Sequence, residues 1–274
     1  MLEGTHSTSV VIPTLGRKTL CNALDSISNQ TLKPISVFVV DDSLEQNVDL
    51  ELYHGLTTLI RTGGGKGQSV ARNLGMKKSK SKFIAFLDDD DIWLPHHLEY
   101  SINQMCVHSL DAIYTSAYVN GRRSPRVPVS GLVDPLIEMY SQRLRFKSSY
   151  YLPTPGLVIR EEVAKHIEFH EKLKDGEDLW FAHKIFEFGF KVRQKEEITV
   201  RINFDRKRQR YRSDLKSYMD WSNRLLTVQK RASINFLFNV ALRNQLMKGY
   251  LRGALKLIKS IVALLRSEVH PSRI

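Results

Sequence analysis

The chain has 274 residues, with 41 Lys and Arg against 29 Asp and Glu, a net charge of +12, and 42% hydrophobic residues. This is the composition of an ordinary soluble globular protein, and it supplies a core for one full catalytic domain plus an extension, or for two small domains. Cys21 and Cys106 lie far apart in no ligand spacing, Met1 to Ser9 has no signal-peptide pattern, and no run reaches ~18 apolar residues; together these point to a reducing, cytoplasmic address.

In chain order, Ser7 to Ile12 is short, β-branched and followed by Pro13, which reads as a buried strand. Thr19 to Gln30 places Leu20, Ala23, Leu24 and Ile27 at helical spacing. Ile35 to Val40 is a second strand, ending in Asp41-Asp42, and Leu56 to Ile60 a third. A glycine-rich turn, Gly63 to Gly67, leads into a helix from Gln68 to Lys78, and Phe83 to Leu87 is a fourth strand that delivers four aspartates. A helix follows Pro95, then a strand near Ala112 to Val119 and a basic, proline-containing loop from Gly121 to Val129. Gly156 to Arg160 reads as a strand, Glu177 to Phe188 as a helix, Val192 to Ile202 as a strand, and Tyr211 to Ser267 as helical. Strands alternating with helices specify an α/β fold with a mostly parallel central sheet.

The strongest chemical signal is Phe86-Leu87-Asp88-Asp89-Asp90-Asp91-Ile92-Trp93. Adjacent carboxylates repel each other and resist burial, yet a hydrophobic strand delivers these to the edge where open α/β sheets hold ligands. Such a cluster suits Mg²⁺ or Mn²⁺, which take one or two carboxylates plus substrate phosphates. Asp41-Asp42 is either a turn or a pair of acceptors for a base or ribose. Arg72 opens a helix, and both a helix N-terminus and a guanidinium favour phosphate. The loop before it is neither a P-loop nor a dinucleotide fingerprint. Glu177-Asp178 is either a capping pair at a helix N-terminus or a source of a general base.

Five segments in this order resemble the family 2 glycosyltransferases, which have the GT-A fold: Ser9 to Thr14, Val39 to Ser43, Ala71 to Gly75, Phe86 to Pro95, and Gly176-Glu177-Asp178. The resemblance covers residues 7 to 200. It implies an inverting, non-processive transfer from a nucleotide-diphosphate sugar, with a UDP-sugar favoured, to a glycan or lipid-linked acceptor. It also implies roles by position. Pro13, Leu15, Asp42, Arg72, Asp88 and Asp89 would line the nucleotide-sugar site. Asp90, with Asp88, would hold Mn²⁺ or Mg²⁺. Asp178 would be the catalytic base, with Glu177 and Trp180 on the acceptor side. Leu15-Gly16-Arg17 departs from the family's usual aromatic and Asn.

The expected organisation is a GT-A domain over 1–205, with a nucleotide-sugar half to about 93 and an acceptor half over 94–205, then a basic helical extension over 206–274. From Arg201 onward there are 17 Lys and Arg against 4 Asp and Glu; residues 1–200 carry 24 against 25. The basic run Arg206 to Arg212 suits phosphate backbones, but the acidic cluster argues against nucleic acid. A nucleotidyltransferase would want an Arg-containing glycine loop directly after the first strand, where Pro13-Thr14-Leu15-Gly16-Arg17 stands. In the last helix, Lys248, Arg252, Lys256, Lys259 and Arg266 share one face, and Leu251, Leu255, Leu257, Ile258, Ile261, Val262, Leu264 and Leu265 occupy the other. This pattern fits an anionic membrane surface over 248–266, on the inner face of the membrane, or a helix docked on the enzyme with its lysines in water.

Overall fold

Seven consecutive residues of strand β1 (Thr8–Thr14) are buried, as a β-branched run in the middle of a parallel sheet must be. The structure is a computed structural model that describes residues 6–45, 48, 50, 55–124, 129–140, 152–173, 176–203, 215–247 and 249–266. β1 pairs in parallel with β2 (Ser36–Asp41) on one side and β4 (Phe83–Phe86) on the other, and β2 pairs in parallel with β3 (Thr57–Arg61). The sheet continues from β4 through β8 (Leu157–Arg160), β6 (Ala112–Val119) and β9 (Val192–Ile202) to β5 (Ile92–Trp93). β8 runs antiparallel to both its neighbours, whereas β6 and β9 are parallel.

Alternation along β1 explains why helices cover both faces. Val10 and Ile12 join a core with Leu20, Leu24 and Ile27 of α1 (Leu20–Ser28) and Leu98, Ile102 and Met105 of α3 (His97–Val107). Val11 points the other way, onto α2 (Gln68–Lys78), where a Cβ on Gly75 would lie 2.4 Å from a Val11 methyl. Only glycine lets this helix approach so closely. On the same face as Val11, Phe86 meets Phe169 edge-on, and Phe169 stacks on Phe181 of α6 (Glu177–Glu187).

The expected loop after Gly121 begins instead as a hairpin, because β7 (Arg122–Ser124) pairs antiparallel with β6. Asn120 and Gly121 both have positive φ, at 47° and 76°, the backbone that a tight two-residue hairpin requires.

Contacts divide the chain into two units. The first takes the described residues of 1–132, 149–172 and 177–204; the second takes those of 133–148, 173–176 and 205–274. The second unit also contains α4 (Pro135–Tyr140), which the sequence places in the catalytic stretch. Tyr140 explains this: its ring packs edge-on against Phe236 of α8 (Lys230–Phe236). Helix α7 (Leu215–Val228) adds Tyr218 and Trp221 to the same aromatic group. A π-helical turn, Leu237–Leu242, leads to α9 (Arg243–Met247), and α10 (Leu251–Arg266) packs back through Ala254, Leu257 and Ile261. The helical tail is therefore broken rather than continuous. The basic run Arg206 to Arg212 and Lys248 lie outside the described residues. No described helix is long and apolar enough to cross a membrane.

Candidate active site

Parallel pairing of β1, β2 and β4 brings three strand ends to one edge: Thr14, Asp41-Asp42 and Leu87-Asp88. Strand ends at such an edge are where open α/β sheets hold ligands.

Arg72 organises this edge. Its side chain is 2% exposed, with Nη2 donating to Asp88 Oδ1 at 2.7 Å and Nη1 to Glu177 Oε1 at 3.1 Å. Burial works against the charged guanidinium, but Asp88 and Glu177 outweigh it and hold its pKa well above the ordinary value. The guanidinium also sits 5.3 Å over the Phe169 ring. Asn73, the next residue on α2, fixes that ring: its amide donates to Phe169 O at 2.9 Å and accepts from Phe169 N at 2.8 Å.

The four aspartates have four environments. Asp88 and Asp90 stay partly open, with side chains 30% and 31% exposed. Asp89 turns inward, accepting hydrogen bonds from Thr14 Oγ1 at 2.6 Å, Leu15 N at 3.3 Å and Arg17 Nη1 at 2.6 Å. Burial raises its pKa, and Thr14 and Arg17 oppose the rise. Asp91 is buried too, accepting from Asn203 N at 3.1 Å, and is pushed up to about 8 by burial first and then by Asp88 and Asp90. Arg17 Nη1 also reaches Asp90 Oδ2 at 2.7 Å, so one nitrogen bridges two carboxylates. The residue that departs from the family pattern thus takes a direct part in the acidic cluster.

Asp42 acts on the glycine loop. Its carboxylate accepts from Thr62 Oγ1, from Lys66 N at 2.8 Å and from Gly67 N at 2.7 Å. Gly64 sits in the left-handed region, and a Cβ there would lie 2.9 Å from Ser43 O, so a side chain would push the loop off Asp42. Pro13 is buried in β1, and Leu15, half-exposed just beyond it, is an apolar surface at the lip of the site.

Facing the aspartates across Arg72 is the start of α6. Glu177 is buried and accepts from Arg72 and from Gln68 Nε2. Burial raises its pKa while Arg72 works to lower it. Asp178 keeps a window to solvent, yet burial first and neighbouring Glu177 second push its carboxyl up to about 7. Its Oδ1 accepts from Leu179 N at 2.7 Å, so the carboxylate also satisfies a free N–H in the first turn of α6. Tyr114 on β6 is fully buried, with its hydroxyl raised well above the usual range by burial and then by Asp178. Trp180 is 8% exposed and packs within α6, with its ring 4.8 Å from His183 and Lys184 over it at 5.5 Å.

Sequence reasoning brings Asp88 to Asp90, Arg72, Glu177 and Asp178 to one place, and the structure joins them. It misses Arg17, Asn203, Gln68 and Tyr114. Of these only Arg17 carried a local signal, being the first charge after β1. Behind the site, Trp93 Nε1 donates to Pro155 O at 2.6 Å and its ring stacks on His97. Burial pushes His97 down to about 3, so it is a neutral packing residue bonded to Thr199 Oγ1.

The donor set fits a hard divalent cation. Asp88 and Asp90 present oxygen ligands toward solvent, and among the described residues no three His, Cys, Asp or Glu side chains form a cage. A cation held by one or two carboxylates and completed by phosphates needs no such cage.

The sequence pattern described as Glycosyl transferase family 2 matches residues 9–168. A Bacillus subtilis relative, the uncharacterized glycosyltransferase YwdF, is 36% identical over 124 residues, 43% of this chain and 46% of that protein. The Escherichia coli UDP-Glc:alpha-D-GlcNAc-diphosphoundecaprenol beta-1,3-glucosyltransferase WfgD is 31% identical over 110 residues, 39% of this chain and 44% of that one. The matched region thus spans less than half the length of these curated relatives. A crystal structure of S. aureus TarS 1-349 in complex with UDP-GlcNAc superposes with a TM-score of 0.69 at 18% identity, covering 94% of this chain and 81% of that one. At that identity the likeness speaks for the GT-A-like fold alone.

Proposed function

The chain belongs to glycosyl transferase family 2, and from that premise we propose that it moves one sugar, with inversion, from a nucleotide-diphosphate sugar to an acceptor hydroxyl. One observation carries the reading. Two acidic groups, Asp88 to Asp90 and Glu177-Asp178, face each other across one buried arginine. One group suits a departing diphosphate with its metal, and the other suits an acceptor hydroxyl that must lose a proton.

In this reading residues 1–93 form the donor half and 94–205 the acceptor half, with the basic helices of 206–274 as an extension. Pro13 and Leu15 give apolar contact to the base. Asp42 holds the glycine loop in place beside it. Asp90 and Asp88 would hold Mn²⁺ or Mg²⁺, which would supply positive charge to the leaving diphosphate. Arg72 fixes Asp88 and opposes the rise that burial imposes on Glu177. Asp178 takes the proton as the acceptor oxygen bonds to the anomeric carbon and the bond to the diphosphate oxygen breaks on the opposite face. A carboxyl near 7 accepts a proton far more readily than one near 4, and a base near the working pH is the efficient choice. Glu177 and the outer end of Trp180 border the acceptor.

A UDP-sugar is the favoured donor and a lipid-linked or glycan acceptor the favoured partner, as the names of WfgD and of the TarS complex suggest for those proteins. Such an enzyme works in the cytoplasm, in surface-polysaccharide synthesis, and the exposed Cys21 and Cys106 suit that reducing compartment. Asp178→Asn tests the proposal, since it keeps size and removes basicity. The rate of transfer from a UDP-sugar should fall by ~10²–10⁴, while calorimetry records unchanged UDP affinity. Loss of UDP affinity with an intact rate would assign Asp178 to the donor side and overturn the reading.

A further inference from the structure

Helix α10 divides its surface into three arcs. Ala254, Leu257 and Ile261 form a buried seam against its own unit. Leu251, Leu255, Ile258, Val262 and Leu265 fall within about 80° of arc at 100° per residue. All five point to solvent, each between 38% and 68% exposed. Arg252, Lys256, Lys259 and Arg266, all exposed, fill the next arc of about 80° on the same geometry. Between residues 221 and 267 the chain has nine Lys and Arg and no Asp or Glu.

The two explanations offered by the sequence are thus separated. Docking on the unit accounts for the seam and leaves five large aliphatic side chains in water. A row of that kind on a folded surface marks a binding face. Its chemistry selects the partner. A second copy of the same face would set lysine against lysine with no carboxylate to relieve it. A nucleic acid would use the cations but has no place for an aliphatic row. A bilayer with anionic headgroups uses both, with the aliphatic stripe immersed and the adjoining cations at the phosphates.

We infer that α10 lies in the interface of an anionic membrane, with Leu251, Leu255, Ile258, Val262 and Leu265 in the acyl boundary and Arg252, Lys256, Lys259 and Arg266 at the headgroups. This deepens the proposal of a lipid-linked acceptor, yet it rests on the helix surface rather than on transfer chemistry, so the two can fail separately.

Vesicle flotation of the full chain is the test, with phosphatidylcholine vesicles compared to vesicles containing phosphatidylglycerol. The chain should float with the anionic vesicles, less so in high salt, and remain at the bottom with the neutral ones. Leu255→Asp with Leu265→Asp should reduce the bound fraction at least tenfold without shifting the thermal melt, because both side chains stand in solvent. Lys256→Gln and Lys259→Gln should each weaken binding roughly fivefold. Should the aspartate pair fail to fold, Ile258→Trp decides: its emission shifts to the blue on anionic vesicles if the stripe is immersed, and an unshifted spectrum overturns the inference. Equal flotation of wild type and the folded aspartate pair overturns it as well. So does a lipid-free dimer that the same pair converts to monomer, which would assign the stripe to a second copy.

Discussion

At the carboxyl edge of the sheet, Arg72 and Arg17 bind four carboxylates between them at 2.6 to 3.1 Å. Along α10, Arg252, Lys256, Lys259 and Arg266 stand exposed in a stretch that contains no acid. Both regions are densely charged, and the difference lies in what balances the charge. A buried arginine between two carboxylates is locked, because removing any one partner leaves an uncompensated charge in low dielectric. Exposed cations on a helix are screened by water and salt and cost little to leave unpaired. Fixed charge of the first kind can orient a reaction, and available charge of the second kind can select a surface.

The sharpest break in that comparison comes from the donor edge. Asp90→Ala, or chelation of wild type with EDTA, should abolish transfer, by ~10³ or more on the scale of lost charge stabilisation. The melting temperature should hold, since Asp90 is partly exposed. Full turnover in excess EDTA would remove the metal from the proposal. Next in size is Arg72→Met, which strands Asp88 and Glu177 and should cost about 3–5 kcal/mol in urea unfolding; a loss below about 1 kcal/mol would show that the pairing is not locked.

The pH profile probes Asp178. Its folded pKa of about 7 lies above the ordinary carboxylate value, so the ionised base accumulates only as pH rises through 7. kcat/KM should climb close to tenfold per unit below that point and level off above it. The same shift means that folding loses stability as pH rises from about 4 to 7, since the folded state favours the protonated form. A rate that is flat from pH 5 to 8 contradicts this assignment.

The smallest expected effect sharpens the comparison most. Arg17 Nη1 bridges Asp89 and Asp90, so a cation arriving at Asp90 must compete with it. Arg17→Gln should tighten binding of Mn²⁺ alone about three- to tenfold, the size of a partly exposed ion pair. Weaker Mn²⁺ binding in this variant would mean that Arg17 assists the site instead.

Much of the frame was legible because it is written in local runs. Buried strands such as Val10 to Ile12, and the helical spacing of Leu20, Leu24 and Ile27, need no partner to be recognised. The Asn120-Gly121 hairpin was missed, because the basic, proline-containing stretch after Gly121 reads as a loop and the pairing of β7 with β6 is a tertiary contact.

What the sequence by itself determined is the order of the elements, the α/β class, the acidic edge after β4 and the charge imbalance between the two ends of the chain. All of these are properties of neighbours along the chain. Only the tertiary structure decided that Asp89 and Asp91 turn inward while Asp88 and Asp90 stay open, that Arg72 joins Asp88 to a Glu177 that lies 105 residues beyond Arg72 in sequence, and that Asp42 serves the glycine loop. Identical carboxylates acquire different pKa values from burial and from partners that folding brings close, and no residue carries that information alone. Likewise, one apolar face of α10 became a buried seam and an exposed stripe only once its own unit covered part of it.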